Sequence, residues 1–249
     1  MITLTYTVNN TPSDYPVQLY GPENLHKKIV RHIHPDSIIH MNKVYQCYTT
    51  KYRKEIFTAY YNILQSLGCH KILIHGPCSM KQYISAIKVL PELDKNKIII
   101  ETPSITSALQ RDLYNGLTPL QFMINYVCFI RNMGFEMCYD TAHLYASGLN
   151  TKDILTLFKM YPVKYVHLNG NTARMGQMDK HGIIYEDNNN MDYKYLPLLY
   201  KELVKHKCIC IFELYDDTIV NNKSNIDRFI RDYKFVNYCI PPSVDRYTR

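Results

Sequence analysis

With 249 residues and 46% hydrophobic content, the chain is long enough to bury a substantial core, and its length fits one α/β barrel or two small domains. No apolar run reaches the roughly 18 residues of a membrane-crossing helix, and the start Met1-Ile2-Thr3-Leu4 lacks a charged region ahead of an apolar block. The sequence therefore reads as soluble and intracellular, with no membrane partner. A net charge of +7, spread along the chain, permits a polyanionic partner without specifying one, and eight scattered cysteines with no C-x-x-C pair argue against a disulfide scaffold or a thiolate metal site.

In chain order, short β-rich apolar runs alternate with stretches of helical period. A strand is expected over residues 2–8, followed by a turn-rich, proline-broken loop at 9–16 that is too short for a helix. Further strands are expected at 17–21, 37–40, 71–75, 97–101, 135–140, 164–168 and 208–213. Helical stretches are expected near 23–34, 51–67, 80–90, 119–133, 152–160, 193–205 and 225–233, with a loop at 188–190. Eight strands with intervening helices in a chain of this length indicate a (β/α)8 TIM barrel forming a single domain over residues 1–249, its first helix replaced by a loop.

The strand ends carry the chemistry. Six strands close on His40, His75, Glu101, Asp140, His167 and Glu213, all metal-ligand residue types. In a parallel barrel the C-terminal strand ends share one face, so these side chains converge. His143 follows Asp140 by three residues, on the turn after that strand, and Asp179 and His181 lie in the loop after the His167 strand. A single Asp-x-x-His pair is more often a loop anchor than a ligand pair; the recurrence along the chain is what points to metal. Five histidines and four carboxylates exceed the roughly four ligands of one zinc ion, which indicates two or three ions with a bridging carboxylate. Nitrogen and oxygen donors without thiolates favour zinc or manganese over magnesium or calcium. Clustered divalent ions suit phosphodiester hydrolysis. The remaining histidines, His26, His32, His34, His70 and His206, fall on expected helices or loops.

The segments Ile-Ile-His40, Ile-His75-Gly-Pro, Ile-Ile-Glu101-Thr, Cys-Tyr-Asp140-Thr-Ala-His143, Val-His167-Leu-Asn, Met-Asp179-Lys-His181 and Phe-Glu213 resemble the endonuclease IV family of apurinic/apyrimidinic (AP) endonucleases over roughly residues 37–213. The resemblance implies an (α/β)8 barrel and a trinuclear zinc site, with manganese as an alternative at one position. It implies one ion on His40 and His75, a second on Asp140, His167 and Glu213, Glu101 bridging these two, and a third on His143, Asp179 and His181. Glu101 would also orient the nucleophile. The implied substrate is double-stranded DNA bearing an abasic site. It would be cut 5′ to the lesion by a monomeric repair enzyme, leaving a 3′-hydroxyl and a 5′-deoxyribose phosphate.

Several stretches depart from the family. Where it carries a Tyr-Leu pair that enters the DNA, this chain has Lys43 and Val44, with Tyr45 one place later. Tyr45, helped by Val44, is the expected wedge and Lys43 the expected phosphate contact. The stretch after Glu101 lacks the family's Ala-Gly-x-Gly character, and its Asn-Asp after His167 becomes Asn169-Gly170. The glycine-poor form resembles virus-encoded or fast-diverging members, which leaves cytoplasm, nucleus and virion open as compartments. Two other readings stand beside this one. A xylose-isomerase-like sugar isomerase or epimerase binds one or two ions mainly through carboxylates and does not need His143, Asp179 and His181. A non-catalytic barrel would bind DNA without cutting it.

Overall fold

Short apolar, β-branched runs form strands where both faces of a parallel sheet can be buried, and this chain supplies eight of them. In the computed structural model the described residues are 3–6, 18–20, 36–41, 58–59, 61–62, 71–107, 113–182 and 189–212. The strands are β1 (Thr3–Tyr6), β2 (Gln18–Tyr20), β3 (Ile38–His40), β4 (Lys71–His75), β5 (Ile98–Glu101), β6 (Glu136–Asp140), β7 (Tyr165–His167), the short pair β8 (Gly170–Asn171) and β9 (His181–Gly182), and β10 (Ile209–Phe212). Eight of them form one parallel sheet in the order β1-β10-β7-β6-β5-β4-β3-β2. From β2 round to β10 each strand of this sheet pairs with the next one in the chain, β1 pairs with β10, and β1 and β2 stand at the two ends. This is the cyclic order of a (β/α)8 barrel with its seam between the first two strands. All eight lie within the stretches expected from sequence.

Alternation along the strands separates two layers. Ile38, Leu73, Ile99, Cys138, Tyr165, Ile209 and Ile211 form one buried cluster, the barrel interior. Their neighbours, such as Ile39, Ile72, Ile100, Tyr139 and Val166, face the other way and pack in a larger cluster with helix residues Ala86, Val127, Leu157 and Leu203.

The helices are α1 (Met80–Val89), α2 (Pro119–Asn132), α3 (Thr141–Ala146), α4 (Thr151–Met160) and α5 (Leu196–Lys205). Their starts follow local chemistry. The Ser79 side chain accepts from the Gln82 N–H, and Thr118–Gln121 and Asn150–Asp153 make reciprocal capping boxes. α1, α2, α4 and α5 match expected helices, and the first three residues of the stretch expected at 193–205 form a 3-10 turn, Tyr193–Tyr195. Of the helix expected over 51–67, the described residues 58–59 and 61–62 are helical. The expected helices at 23–34 and 225–233 and the loop at 9–16 lie outside the described residues. Two elements differ from expectation. His143 sits on the helix α3 rather than on a turn, because the Asp140 side chain caps that helix at the strand's end. The stretch after β7 folds into the antiparallel pair β8 and β9, with Asn171 opposite His181.

Gly76 lets the chain leave β4 close to β5. Its N–H donates to the Glu101 carbonyl at 3.0 Å. A Cβ at position 76 would lie 2.6 Å from that carbonyl oxygen and would collide with the Tyr126 hydroxyl. The tyrosine can swing away but the backbone oxygen cannot, so Gly76→Ala is expected to cost roughly 1–3 kcal/mol, as overpacking does. Denaturant unfolding of the variant checks this.

Candidate metal centre

The inner-layer alternation places the functional side chains. Two residues beyond Ile38, Leu73, Ile99, Cys138 and Tyr165 stand His40, His75, Glu101, Asp140 and His167, so all five continue the inward series at the C-terminal ends of their strands. The structure brings these five together with His143, Asp179 and His181. Glu213, Lys43, Val44 and Tyr45 lie outside the described residues.

Glu101 is at the centre and has no solvent exposure. Its Oε2 is 3.4 Å from His40 Nε2 and 3.5 Å from His75 Nε2. Its Oε1 is 2.6 Å from His167 Nδ1 and 3.6 Å from His143 Nδ1. The one carboxylate therefore faces two histidines with each oxygen, which is the geometry of a bridge.

Asp140 has two tasks. Its Oδ1 accepts the His143 N–H at 2.9 Å as the cap of α3. Its Oδ2 receives the Asn169 amide at 3.0 Å and faces His167 Nδ1 at 3.4 Å and His181 Nε2 at 3.6 Å. Asp179 spans the next pair, with Oδ2 at 3.1 Å from His143 Nε2 and Oδ1 at 3.1 Å from His181 Nε2.

Three groups have one ligand atom per residue all within 4.8 Å of one another: His40, His75 and Glu101; Glu101, Asp140 and His167; and Asp140, His143 and His181. The first two agree with the expected sets as far as the described residues extend. The third adds Asp140 to the expected His143, Asp179 and His181. Two ligands about 2 Å from a shared ion at a tetrahedral angle are themselves about 3.3 Å apart. Six donor separations around the centre, at 3.1–3.6 Å, fit that spacing, while His167 Nδ1 and Glu101 Oε1, at 2.6 Å, are in direct hydrogen-bond contact. Glu101 Oε2 and Asp179 Oδ1 are buried oxygens that accept no hydrogen bond, as expected of oxygens reserved for a cation.

Partners behind the ligands hold their orientation. His143 Nδ1 donates to the Thr102 carbonyl at 2.8 Å and His40 Nδ1 to the Met41 carbonyl at 3.1 Å, which turns each Nε2 toward the site. The Thr102 hydroxyl accepts the Asp140 N–H, and the Thr141 hydroxyl accepts the Asn169 N–H, both at 2.9 Å. Asn171 donates its amide to the carbonyls of Ala142 and Met178, tying α3 to the loop that ends in Asp179. His167 is held by Gln18, whose Oε1 is 2.7 Å from its Nε2. Of these supporting residues only Asn169 stands out in the sequence, and there as part of the Asn169-Gly170 departure rather than as a support. Asn169 and Asn171 followed the His167 strand and offered a signal; Thr102, Thr141 and Gln18 offered none.

Burial alone would raise the pKa of Glu101, but His143, His167 and His75 hold it well below the ordinary carboxylate value. Asp140 and Asp179 are likewise lowered, against their burial, by His143 and His181. The histidines respond in the opposite sense. Burial pulls His143 down, yet Asp140, Glu101 and Asp179 push it up to about 10. His167 is also raised against its burial, by Cys138, Glu101 and Asp140, and His181 by Asp140 and Asp179. His40 is lowered, because its burial outweighs Glu101. The cluster draws in positive charge, and in metal-free protein protons supply it.

No protein-family model and no curated protein matches the chain. Solved structures match it in fold. AsfvAP, the ASFV AP endonuclease, in the AsfvAP:AG crystal structure, aligns with a TM-score of 0.65 and 15% identity over 90% of this chain and 86% of that one. A D-tagatose 3-epimerase-like protein aligns at 0.61 and 12% identity over 94% and 98% of the two chains. The IOLI protein, solved with a binding zinc atom, aligns at 0.54 and 12% over 94% and 96%. Identities this low establish the shared fold, a (β/α)8 TIM barrel, while function has to be argued from the site.

The pKa pattern fixes how metal-free stability should vary with pH. His143 is near 10 when folded against 6.5 ordinarily, so its contribution is complete below 6.5 and is lost as pH rises toward 10; His167 and His181 act in the same direction. The lowered carboxylates act below that range, contributing above about pH 4 and failing as pH falls through their folded pKa values. Chelated protein should therefore melt at lower temperature as pH is raised from 6.5 to 10, and zinc-loaded protein should fall less because bound metal replaces the protons. Thermal melts with and without chelator measure the difference.

Proposed function

We propose that this chain is a multinuclear metal-dependent AP endonuclease, a single-domain monomer that cuts the phosphodiester 5′ to an abasic site in double-stranded DNA and leaves a 3′-hydroxyl. The observation that carries this reading is the three-part cluster around Glu101, in which five histidines outnumber the three described carboxylates. His143, Asp179 and His181 weigh most, because a sugar isomerase or epimerase barrel has no use for that histidine-rich third group. The fold shared with AsfvAP supports the same reading, and the fold shared with the epimerase-like protein keeps the sugar alternative as the outcome to test against.

His40 and His75 would hold one ion, Asp140 and His167 a second with Glu213, and His143, Asp179 and His181 a third, with Glu101 between the first two. Zinc suits this donor set, with manganese as the alternative at one position. Bound divalent ions at such a site lower the pKa of water and neutralise phosphate charge. Glu213 enters the proposal as the residue two positions beyond the inward-facing Ile211.

The chain's own task is to place the phosphate and the lesion. Glu101 would orient the nucleophile from its place between two ligand groups. Arg174 and Lys180 are exposed on the loop between β8 and β9 that also carries Asp179, so that loop offers two positive charges to phosphates. Lys43, following His40, would contact phosphate, and Tyr45 with Val44 would fill the space left by the flipped-out abasic nucleotide.

The test is cleavage of a duplex carrying one abasic analogue. Glu101→Gln keeps the shape but removes the bridging charge, and is expected to lower turnover at least about a hundredfold with DNA affinity largely kept. His206→Ala alters a ring packed against Phe158, outside the ligand groups, and should remain near wild type. Equal damage from both, or turnover of free sugars in place of DNA cleavage, would contradict the proposal.

A further inference from the structure

The ligand histidines are held in two different ways. His40 and His143 use Nδ1 to donate to backbone carbonyls and so present Nε2 to the cluster. His167 is reversed. Its Nδ1 faces Glu101 Oε1 at 2.6 Å and Asp140 Oδ2 at 3.4 Å, while its Nε2 is turned away toward Gln18. Gln18 lies on β2 in register with the inward-facing Ile38, and has no solvent exposure. Among the described residues, its inner layer holds an apolar cluster running from Ile38, Leu73 and Ile99 to Tyr165 and Ile209. A buried carboxamide costs free energy unless it is hydrogen-bonded, and its carbonyl is bonded to His167 Nε2 at 2.7 Å across 149 residues of chain.

We propose that Gln18 is a positioning residue that selects the ligating atom of His167, an inference that rests on the metal-centre reading above. The Gln18 carbonyl oxygen can only accept, so His167 Nε2 keeps its proton, and when metal binds it is the proton on Nδ1, the atom aimed at Glu101 and Asp140, that leaves and frees a lone pair. His167 therefore binds metal through Nδ1, in contrast to the Nε2 of His40 and His143. An apolar residue at position 18 would leave Nε2–H without this acceptor and remove the bias against a ring flip. Glutamine, unlike glutamate, supplies the acceptor without adding a negative charge below a cluster that already buries Glu101 and Asp140. Partners of this kind are worth about 10- to 100-fold in metal affinity.

Zinc-loaded full-length protein labelled with 15N-histidine provides the direct readout. The His167 signals, identified by their loss in His167→Asn, should show a protonated Nε2 and a zinc-bound Nδ1 in two-bond proton–nitrogen spectra. Gln18→Leu should lose one zinc ion to a competing chelator at about 10- to 100-fold lower chelator concentration than wild type, while Gln18→Glu, which restores an acceptor, should recover most of that loss. A zinc-bound Nε2 on His167 in the wild-type protein would overturn the proposal, even if Gln18→Leu does not fold. So would a folded Gln18→Leu variant whose zinc retention equals wild type. Wild-type protein that binds no zinc at all would instead overturn the metal-centre reading on which this rests.

Discussion

One buried charge organises the C-terminal face of this barrel. Glu101 has no exposure and stands at the end of the all-isoleucine stretch of β5, where an ionised carboxylate would cost several kcal/mol without compensating positive charge. His143, His167 and His75, from three other segments, supply that compensation, while His40, held below its usual pKa by burial, faces the same oxygen as His75. The barrel delivers them because adjacent parallel strands end at one level: His75 lies in register with Glu101, and Asp140 in register with His167. Gly76 belongs to the same arrangement, since its lack of a side chain lets the chain after His75 bond back to the Glu101 carbonyl.

A second set of contacts converts proximity into orientation. Asp140 is at once the last residue of β6, the cap of α3 and a member of two of the three ligand groups. Capping consumes Oδ1 and leaves Oδ2 for the site, so the helix that presents His143 and the carboxylate beside it are positioned together. Asn171 does the same for the Asp179 loop by bonding to both Ala142 and Met178. The amide and hydroxyl groups that brace the ligands are neutral. They stiffen the centre without adding to its charge.

Much of this was legible in the sequence because both layers of information have short periods. Each strand is an apolar run broken by turns or helical segments, and the ligand residues occupy the same place in five described runs, two positions past an inward-facing residue. His143 was recognised as a candidate but placed on a turn, because the capping role of Asp140 depends on one side chain serving a strand and a helix together. Gln18 gave no signal, since a glutamine inside Val-Gln-Leu-Tyr looks like a tolerated polar residue until β2 and β7 are folded into one barrel. The bonds of Thr102, Thr141 and Asn169 likewise link residues some 28 to 38 positions apart and have no local signature. The expected DNA wedge at Tyr45 and Val44, the expected phosphate contact at Lys43 and the expected ninth ligand Glu213 lie outside the described residues.

The central claim is that this cluster is a multinuclear metal site that cuts DNA at abasic positions, and its most direct test combines two measurements on one preparation: divalent metal per chain, and cleavage of a duplex with a single abasic analogue. The account predicts two to three ions per chain and 5′ incision that is lost on prolonged chelation and returns when zinc is restored. Full activity with less than one ion per chain, or a fully loaded protein that leaves abasic duplex intact, would contradict it.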